Sequence, residues 1–344
     1  MQPWQQHLRA GQVIPACPLA LHDDGSWADR HQRALVRYYV DAGAGGLAVG
    51  VHSTQFAIRD PQHALCQPLL QNVSQWLSEW LPAAAPFVRI AGICGRTPQA
   101  IAEAEFAQEH GYHAGLLSLA ALQEESEIEL IRHCTAISST IPIVGFYLQP
   151  AVGGRVLSYA FWRNLADNER LVAIKVAPFN RYQTLDVIRA VIDSGRDDLA
   201  LYTGNDDNII VDLLTPFSSS GKTRFFDGGL LGQWAVWTKT AVVMLKEIQC
   251  ARATRTMSID WLSRNAMLTD ANAAVFDAAH GFAGCIPGIN EVLRRDGLLP
   301  SRRCLDPHEM LSPGQSADLD RVIAAYESLT DQGFIRDNLD RWLG

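Results

Sequence analysis

Eight short apolar or β-branched runs, each closed by Gly, Pro or a small polar residue and each followed by a stretch with helical spacing, recur along this 344-residue chain. The runs fall at 13–19, 46–50, 87–93, 114–119, 141–147, 171–176, 199–203 and 224–228. The helical stretches between and after them fall at 28–42, 64–80, 98–110, 124–138, 159–168, 183–193, 208–218 and 233–248. Strands that alternate with helices pair in parallel and are covered on both faces, so they read as continuous apolar segments. Eight such units of about 30 residues fit an α/β fold of the (β/α)8 TIM barrel type, which takes roughly 250 residues. A doubly wound sheet is the alternative, but no G-x-G-x-x-G follows the first run. Residues 1–250 are therefore expected to form the barrel and to carry the chemistry, and 251–344 a C-terminal helical region with helices over 261–280, 289–295 and 316–328.

Composition narrows the function. Apolar residues make up 48% and charged residues 19%, the profile of a globular protein. With 29 Lys plus Arg against 37 Asp plus Glu, the net charge of −8 and the lack of a basic tract speak against a nucleic-acid partner. Apolar runs such as 81–88 fall short of the ~18 residues that span a bilayer, and 1–11 has no signal-peptide core, so no membrane is expected and a cytoplasmic location is. Seven cysteines without a C-x-x-C pair suggest reduced thiols rather than a disulfide framework or a zinc site. His110 and His113 lack a third metal ligand at a sensible spacing. Ser220-Gly221-Lys222-Thr223 imitates the end of a P-loop but lacks its first glycine and precedes a strand. Neither a metal nor an organic cofactor is expected.

Lysine is scarce, with four residues against 25 arginines. Lys222, Lys239 and Lys246 lie in polar or helical contexts, whereas Lys175 sits inside the apolar run Leu171-Val172-Ala173-Ile174-Lys175-Val176-Ala177, at the strand end where a barrel keeps its active site. Burying an ammonium without a role costs several kcal/mol, whereas a desolvated lysine becomes an amine nucleophile of the Schiff-base kind. One strand earlier, Tyr147 ends its run and is expected beside Lys175, where a phenol would move protons. His52, Ser53 and Thr54 follow the second run and read equally well as a carboxylate-binding turn or an ordinary loop. Gly204, Asn205 and Asp206 follow the seventh as candidate ligand contacts, with a helix N-cap the alternative.

Taken in order over about residues 10 to 250, these segments resemble the dihydrodipicolinate synthase and N-acetylneuraminate lyase family of class I aldolases. Tyr147 to Gly154 is similar to the family's Y-N-x-P-x-x-T-G, Ile174-Lys175 to its G-I-K, Ala91-Gly92 to its A-G, and Thr203-Gly204-Asn205-Asp206 to its S-G-D-D. The resemblance implies that Lys175 forms an imine with a 2-oxo acid, pyruvate or a sugar-derived acid, and that Tyr147 relays protons during cleavage or formation of a C–C bond. It also implies a homo-oligomer, tetramer or dimer. The family's G-T-T-G-E loop is replaced by Val51-His52-Ser53-Thr54-Gln55, and the synthases' carboxylate-gripping arginine by Val152, with Arg155 the nearest alternative. The synthases' P-Y-Y after the fourth strand is also missing. True dihydrodipicolinate synthase activity is thereby disfavoured. A sugar-acid dehydratase on the same scaffold, or a barrel that binds a small acid without turnover, are the alternatives to a lyase.

Overall fold

Strand residues here are short, β-branched or apolar, and the chain brings them into one parallel sheet: β1 (Val13–Pro15), β2 (Gly46–Val49), β3 (Val88–Ile93), β4 (Ala114–Leu117), β5 (Ile143–Leu148), β6 (Leu171–Ala177) and β7 (Ala200–Thr203). A hairpin of β8 (Phe217–Ser219) and β9 (Lys222–Arg224) intervenes before β10 (Gly228–Leu231) completes it. This computed structural model describes residues 2–82 and 85–344. Residues 83 and 84 of the apolar run 81–88 and Met1 of the polar stretch 1–11 lie outside the described residues.

The strand order is β1-β10-β7-β6-β5-β4-β3-β2, and the two ends meet. Ala16 bridges Ala48 in parallel, the Cys17 amide donates to Ala48 O at 2.8 Å, and the Gly45 amide donates to Val13 O at 3.0 Å. The fold is a (β/α)8 TIM barrel with a C-terminal helical part.

Two cores follow from the period of two along each strand. Ile14, Ile90, Leu116, Val144, Ala173 and Leu230 fill the lumen, while Leu47, Ala91, Leu117, Ile174 and Leu201 face the surrounding helices. The lumen floor is sealed by a helix that pattern reading passed over, Pro3–Arg9, whose Trp4 and Leu8 join the inner cluster. The buried Tyr202 hydroxyl donates to Leu8 O at 2.7 Å and accepts from the Gln12 amide at 3.1 Å, fixing that plug to β7.

The structure departs from the sequence expectations mainly around the eighth strand. The strand expected at 224–228 begins only at Gly228, and the helix expected over 208–218 ends at Leu214, because residues 217–224 fold as a hairpin. Ser220 and Gly221 both have positive φ, 49° and 76°, as the tight turn of a two-residue hairpin loop requires. The polar Ser218–Gly221 stretch is thus a hairpin tip.

Past the barrel, helix Thr238–Thr254 runs through residue 250 without a break, followed by Asp260–Val275, Cys285–Arg295, Gln315–Ala325 and two short turns of helix, Gln332–Arg336 and Leu339–Leu343. Their apolar faces belong to the same cluster as the barrel's outer layer, through Trp261, Leu268, Val322, Ile335 and Trp342. Asp331 fastens the end of the chain: its carboxylate accepts from the Tyr38 hydroxyl at 2.7 Å and from the Lys239 and Thr240 amides at 2.6 and 2.9 Å. Among the described residues no helix is long and apolar enough to cross a membrane.

Candidate active site

Lys175 stands on the lumen face of β6, near the C-terminal ends of the strands, and is only 8% exposed. Its register neighbours are Phe146 on β5 and Tyr202 on β7. The ammonium lies 4.4 Å from the centre of the Phe146 ring, and among the described residues it has no hydrogen-bond acceptor or ion-pair partner. Burial pushes its pKa down to about 8, with the Asp206 charge acting in the opposite direction. At pH 7 roughly a tenth of such an amine is neutral, against roughly 0.03% of an ordinary lysine.

The amine opens onto a cavity of about 60 Å³ at the barrel mouth. One water needs roughly 10–15 Å³ of such space, so there is room for a ligand of a few non-hydrogen atoms. Gly204 makes part of that room: a Cβ there would lie 2.7 Å from Ala177 Cβ and 2.8 Å from Lys175 Cε.

Asp206 reaches the cavity from the loop after β7. Its Oδ1 accepts from the Gln233 amide at 3.2 Å, and its carbonyl accepts from Asn272 Nδ2 at 2.7 Å. Burial raises its pKa to about 7, opposed by the Lys175 charge and the Gln233 hydrogen bond. His52 and Ser53 line the wall opposite. Burial and the Lys175 charge push the His52 imidazole down to about 4, so it is neutral at pH 7. The Ser53 hydroxyl donates to Ala16 O at 2.8 Å.

Three expected site residues lie elsewhere. Tyr147 pairs in register with Val176, one residue out of step with Lys175, so strand alternation turns its ring away from the lumen. It packs on Trp162 at 5.2 Å between barrel and helices, and its hydroxyl both donates to Leu157 O and accepts from the Leu157 amide, each at 3.2 Å. It is not beside Lys175; Phe146 is. Thr54 is fully buried behind the wall, its hydroxyl donating to Cys17 O at 2.6 Å and accepting from the Gly50 and Val51 amides at 3.0 and 3.1 Å, so it holds the loop and faces no ligand. Asn205 is likewise buried and saturated: Oδ1 accepts from the Phe179 amide at 3.1 Å, and Nδ2 donates to Asp212 at 2.9 Å. That bond supports Phe179 in a left-handed conformation, φ 51°, with its ring at the cavity. Arg155, the alternative to the missing arginine, donates instead to the carbonyls of Leu122 and Glu125 at 2.7 and 2.9 Å.

Sequence reasoning also missed the far wall. Phe276, Phe282, Cys285 and Ile289, all from the C-terminal region, close the cavity over Lys175, and Phe282 meets Phe179 edge to face at 5.6 Å. Gly281 and Gly284 mark a break between two helices, but they do not say where the chain turns. The same region pins the His52 loop, where Gln55 Oε1 accepts from the Leu305 amide at 2.6 Å.

A model of the dihydrodipicolinate synthetase family matches residues 9–216. No curated protein matches. Among solved structures, YagE, a prophage protein of the dihydrodipicolinic acid synthase family from E. coli K12 in complex with pyruvate, is similar at a TM-score of 0.73 and 18% identity, over 92% of this chain and 97% of that one. A dihydrodipicolinate synthase from Aquifex aeolicus is similar at 0.72 and 15%, over 93% and 99%. An N-acetylneuraminate lyase from Fusobacterium nucleatum complexed with pyruvate is similar at 0.71 and 15%, over 94% and 99%. At such identities the likeness is one of fold.

Two outcomes are expected of this site. A small amine reagent such as cyanate should label Lys175 at a rate that climbs with pH to a midpoint near 8, because only the neutral amine reacts and the folded pKa is lowered; peptide mapping would follow it beside the exposed Lys222. Labelling that rises only above pH 10 would contradict the desolvated amine. Tyr147→Phe should lower stability in urea unfolding by about 1–2 kcal/mol by unpairing Leu157, and leave Lys175 reactivity unchanged.

Proposed function

The chain belongs to the dihydrodipicolinate synthetase family, and we propose on that premise that it is a Schiff-base lyase whose Lys175 forms an imine with pyruvate or with a longer 2-oxo acid. The observation that carries this reading is the unpaired Lys175 amine, buried at the barrel mouth in a cavity of about 60 Å³. The neutral amine attacks the ketone carbon, and loss of water leaves an iminium. That cation draws electrons from the adjacent carbon, so the C–C bond one position further breaks to an enamine and an aldehyde, or forms in reverse. Substrate carboxylate would lie toward the His52-Ser53 turn, away from the aromatic wall.

The partner aldehyde follows from the other walls. Lys175 is the only cationic side chain lining the cavity among the described residues, Val152 stands where the synthases' arginine would be by resemblance, and Arg155 is committed to carbonyls. Phe179, Phe276, Phe282 and Ile289 present apolar surface instead. These features favour an aldehyde with an apolar body over one bearing a second carboxylate or a polyhydroxyl chain, and they disfavour dihydrodipicolinate synthase activity. A dehydratase would share the imine and expel hydroxide from the enamine.

A second reading, a barrel that holds a small 2-oxo acid without turning it over, draws on one observation: the ring beside Lys175 is Phe146 and carries no hydroxyl. Intact mass spectrometry after borohydride treatment separates the two. The proposal expects a reduced adduct with pyruvate that is lost in Lys175→Ala, and, across a panel of 2-oxo acids, stronger trapping of those with aliphatic or aromatic tails than of sugar-derived ones. A folded protein that gives no adduct with any acid would put the binding barrel first.

A further inference from the structure

With Tyr147 facing the helices, the cavity needs another group to move protons. The exchangeable groups lining it are His52, Ser53, Gln149, Lys175, Asp206 and Cys285. Lys175 is the nucleophile, and an amide such as Gln149 neither gives nor takes a proton near neutral pH. The Ser53 hydroxyl is engaged with Ala16 O. The Cys285 thiol is held protonated by burial and by the negative charges of Asp206 and Glu309. His52, held neutral by burial and by Lys175, has little acid form to donate.

Asp206 differs from all of these. One oxygen is fixed by the Gln233 amide, and Oδ2 has no hydrogen-bond partner among the described residues. It lines the same cavity as Lys175, and no ion pair joins the two among the described residues. We propose that Asp206 is the proton relay of the Lys175 imine chemistry, in the role that the resemblance would have given to Tyr147. The assignment rests on the imine reading of the site.

Each step balances on one proton. Attack by the neutral amine forms the C–N bond and, after proton transfer from nitrogen to oxygen, gives a carbinolamine. Protonated Asp206 donates to its hydroxyl, the C–O bond breaks, water leaves, and an iminium and a carboxylate remain. In cleavage, the carboxylate takes the proton of the substrate's γ-hydroxyl. The β,γ C–C electrons then flow into the enamine, and the aldehyde departs. The same proton goes from Asp206 to the enamine carbon, regenerating the pyruvate iminium, which water hydrolyses. A relay must populate both protonation states near the working pH. Burial balanced against the Lys175 charge places Asp206 in that range, with His52, Cys285 and Asp207 the other titratable groups nearby.

Pyruvate alone tests this, because imine and enamine interconversion exchanges its methyl hydrogens with D2O. Proton NMR should show exchange catalysed by the wild-type chain and abolished in Lys175→Ala. Asp206→Asn keeps an acceptor for the Gln233 amide; its imine should form more slowly but still be trapped by pyruvate and borohydride on prolonged incubation, while the exchange rate falls at least about 100-fold, the lower end of what general acid–base groups supply. Asp206→Ala should exchange as poorly and recover on addition of formate, a response that a merely structural role would not produce. Wild-type exchange in a trapped, folded Asp206→Asn would overturn the relay while leaving the imine intact. A wild-type protein with neither trapping nor exchange would remove the imine and the relay with it.

Discussion

An ammonium group kept out of water at the mouth of the barrel sets the terms for everything around it. Lys175 is almost fully buried, and its nearest ring-register neighbour is a phenyl face 4.4 Å away. A carboxylate in contact would satisfy the charge but would also raise the pKa and keep the amine protonated. The structure instead keeps Asp206 in the same cavity without ion-pair contact, so the two charges stabilise each other through space while the amine stays accessible. Gly204 belongs to the same constraint, since any side chain there would meet the Lys175 stem.

Holding that arrangement requires parts of the chain far apart in sequence. The loop after β2 is tied to β1 by Thr54, the loops after β6 and β7 are tied to each other by Asn205, and the far wall comes from residues 276–289. Gln55 and Asp206 both accept or present bonds to this C-terminal region, through Leu305 and Asn272. The helices beyond the barrel are therefore part of the site's enclosure, and their removal would return Lys175 to water.

The barrel was legible because its signals are local and repeated: apolar runs followed by stretches of helical period. Lys175 was legible for a related reason, as a single charge in an apolar strand. Tyr147 misled because the motif around it fixes spacing along the strand and not which face is inward; one residue of register exchanges Phe146 for Tyr147. Thr54 and Asn205 carry the right chemistry for ligand contacts, but their hydrogen bonds go to Cys17 and Phe179, partners distant in sequence, and for Asn205 also to Asp212 on the following helix. The aromatic wall was hidden for the same reason, since nothing local says that Phe276 and Phe282 fold back over β6.

The most direct test of this account is a crystal structure of the protein after borohydride reduction in the presence of pyruvate. Continuous density is expected from Lys175 Nζ to a propionate group, its carboxylate at the His52-Ser53 turn and its methyl carbon facing Asp206. An adduct on another lysine, or one whose methyl carbon faces the Tyr147 hydroxyl, would contradict it.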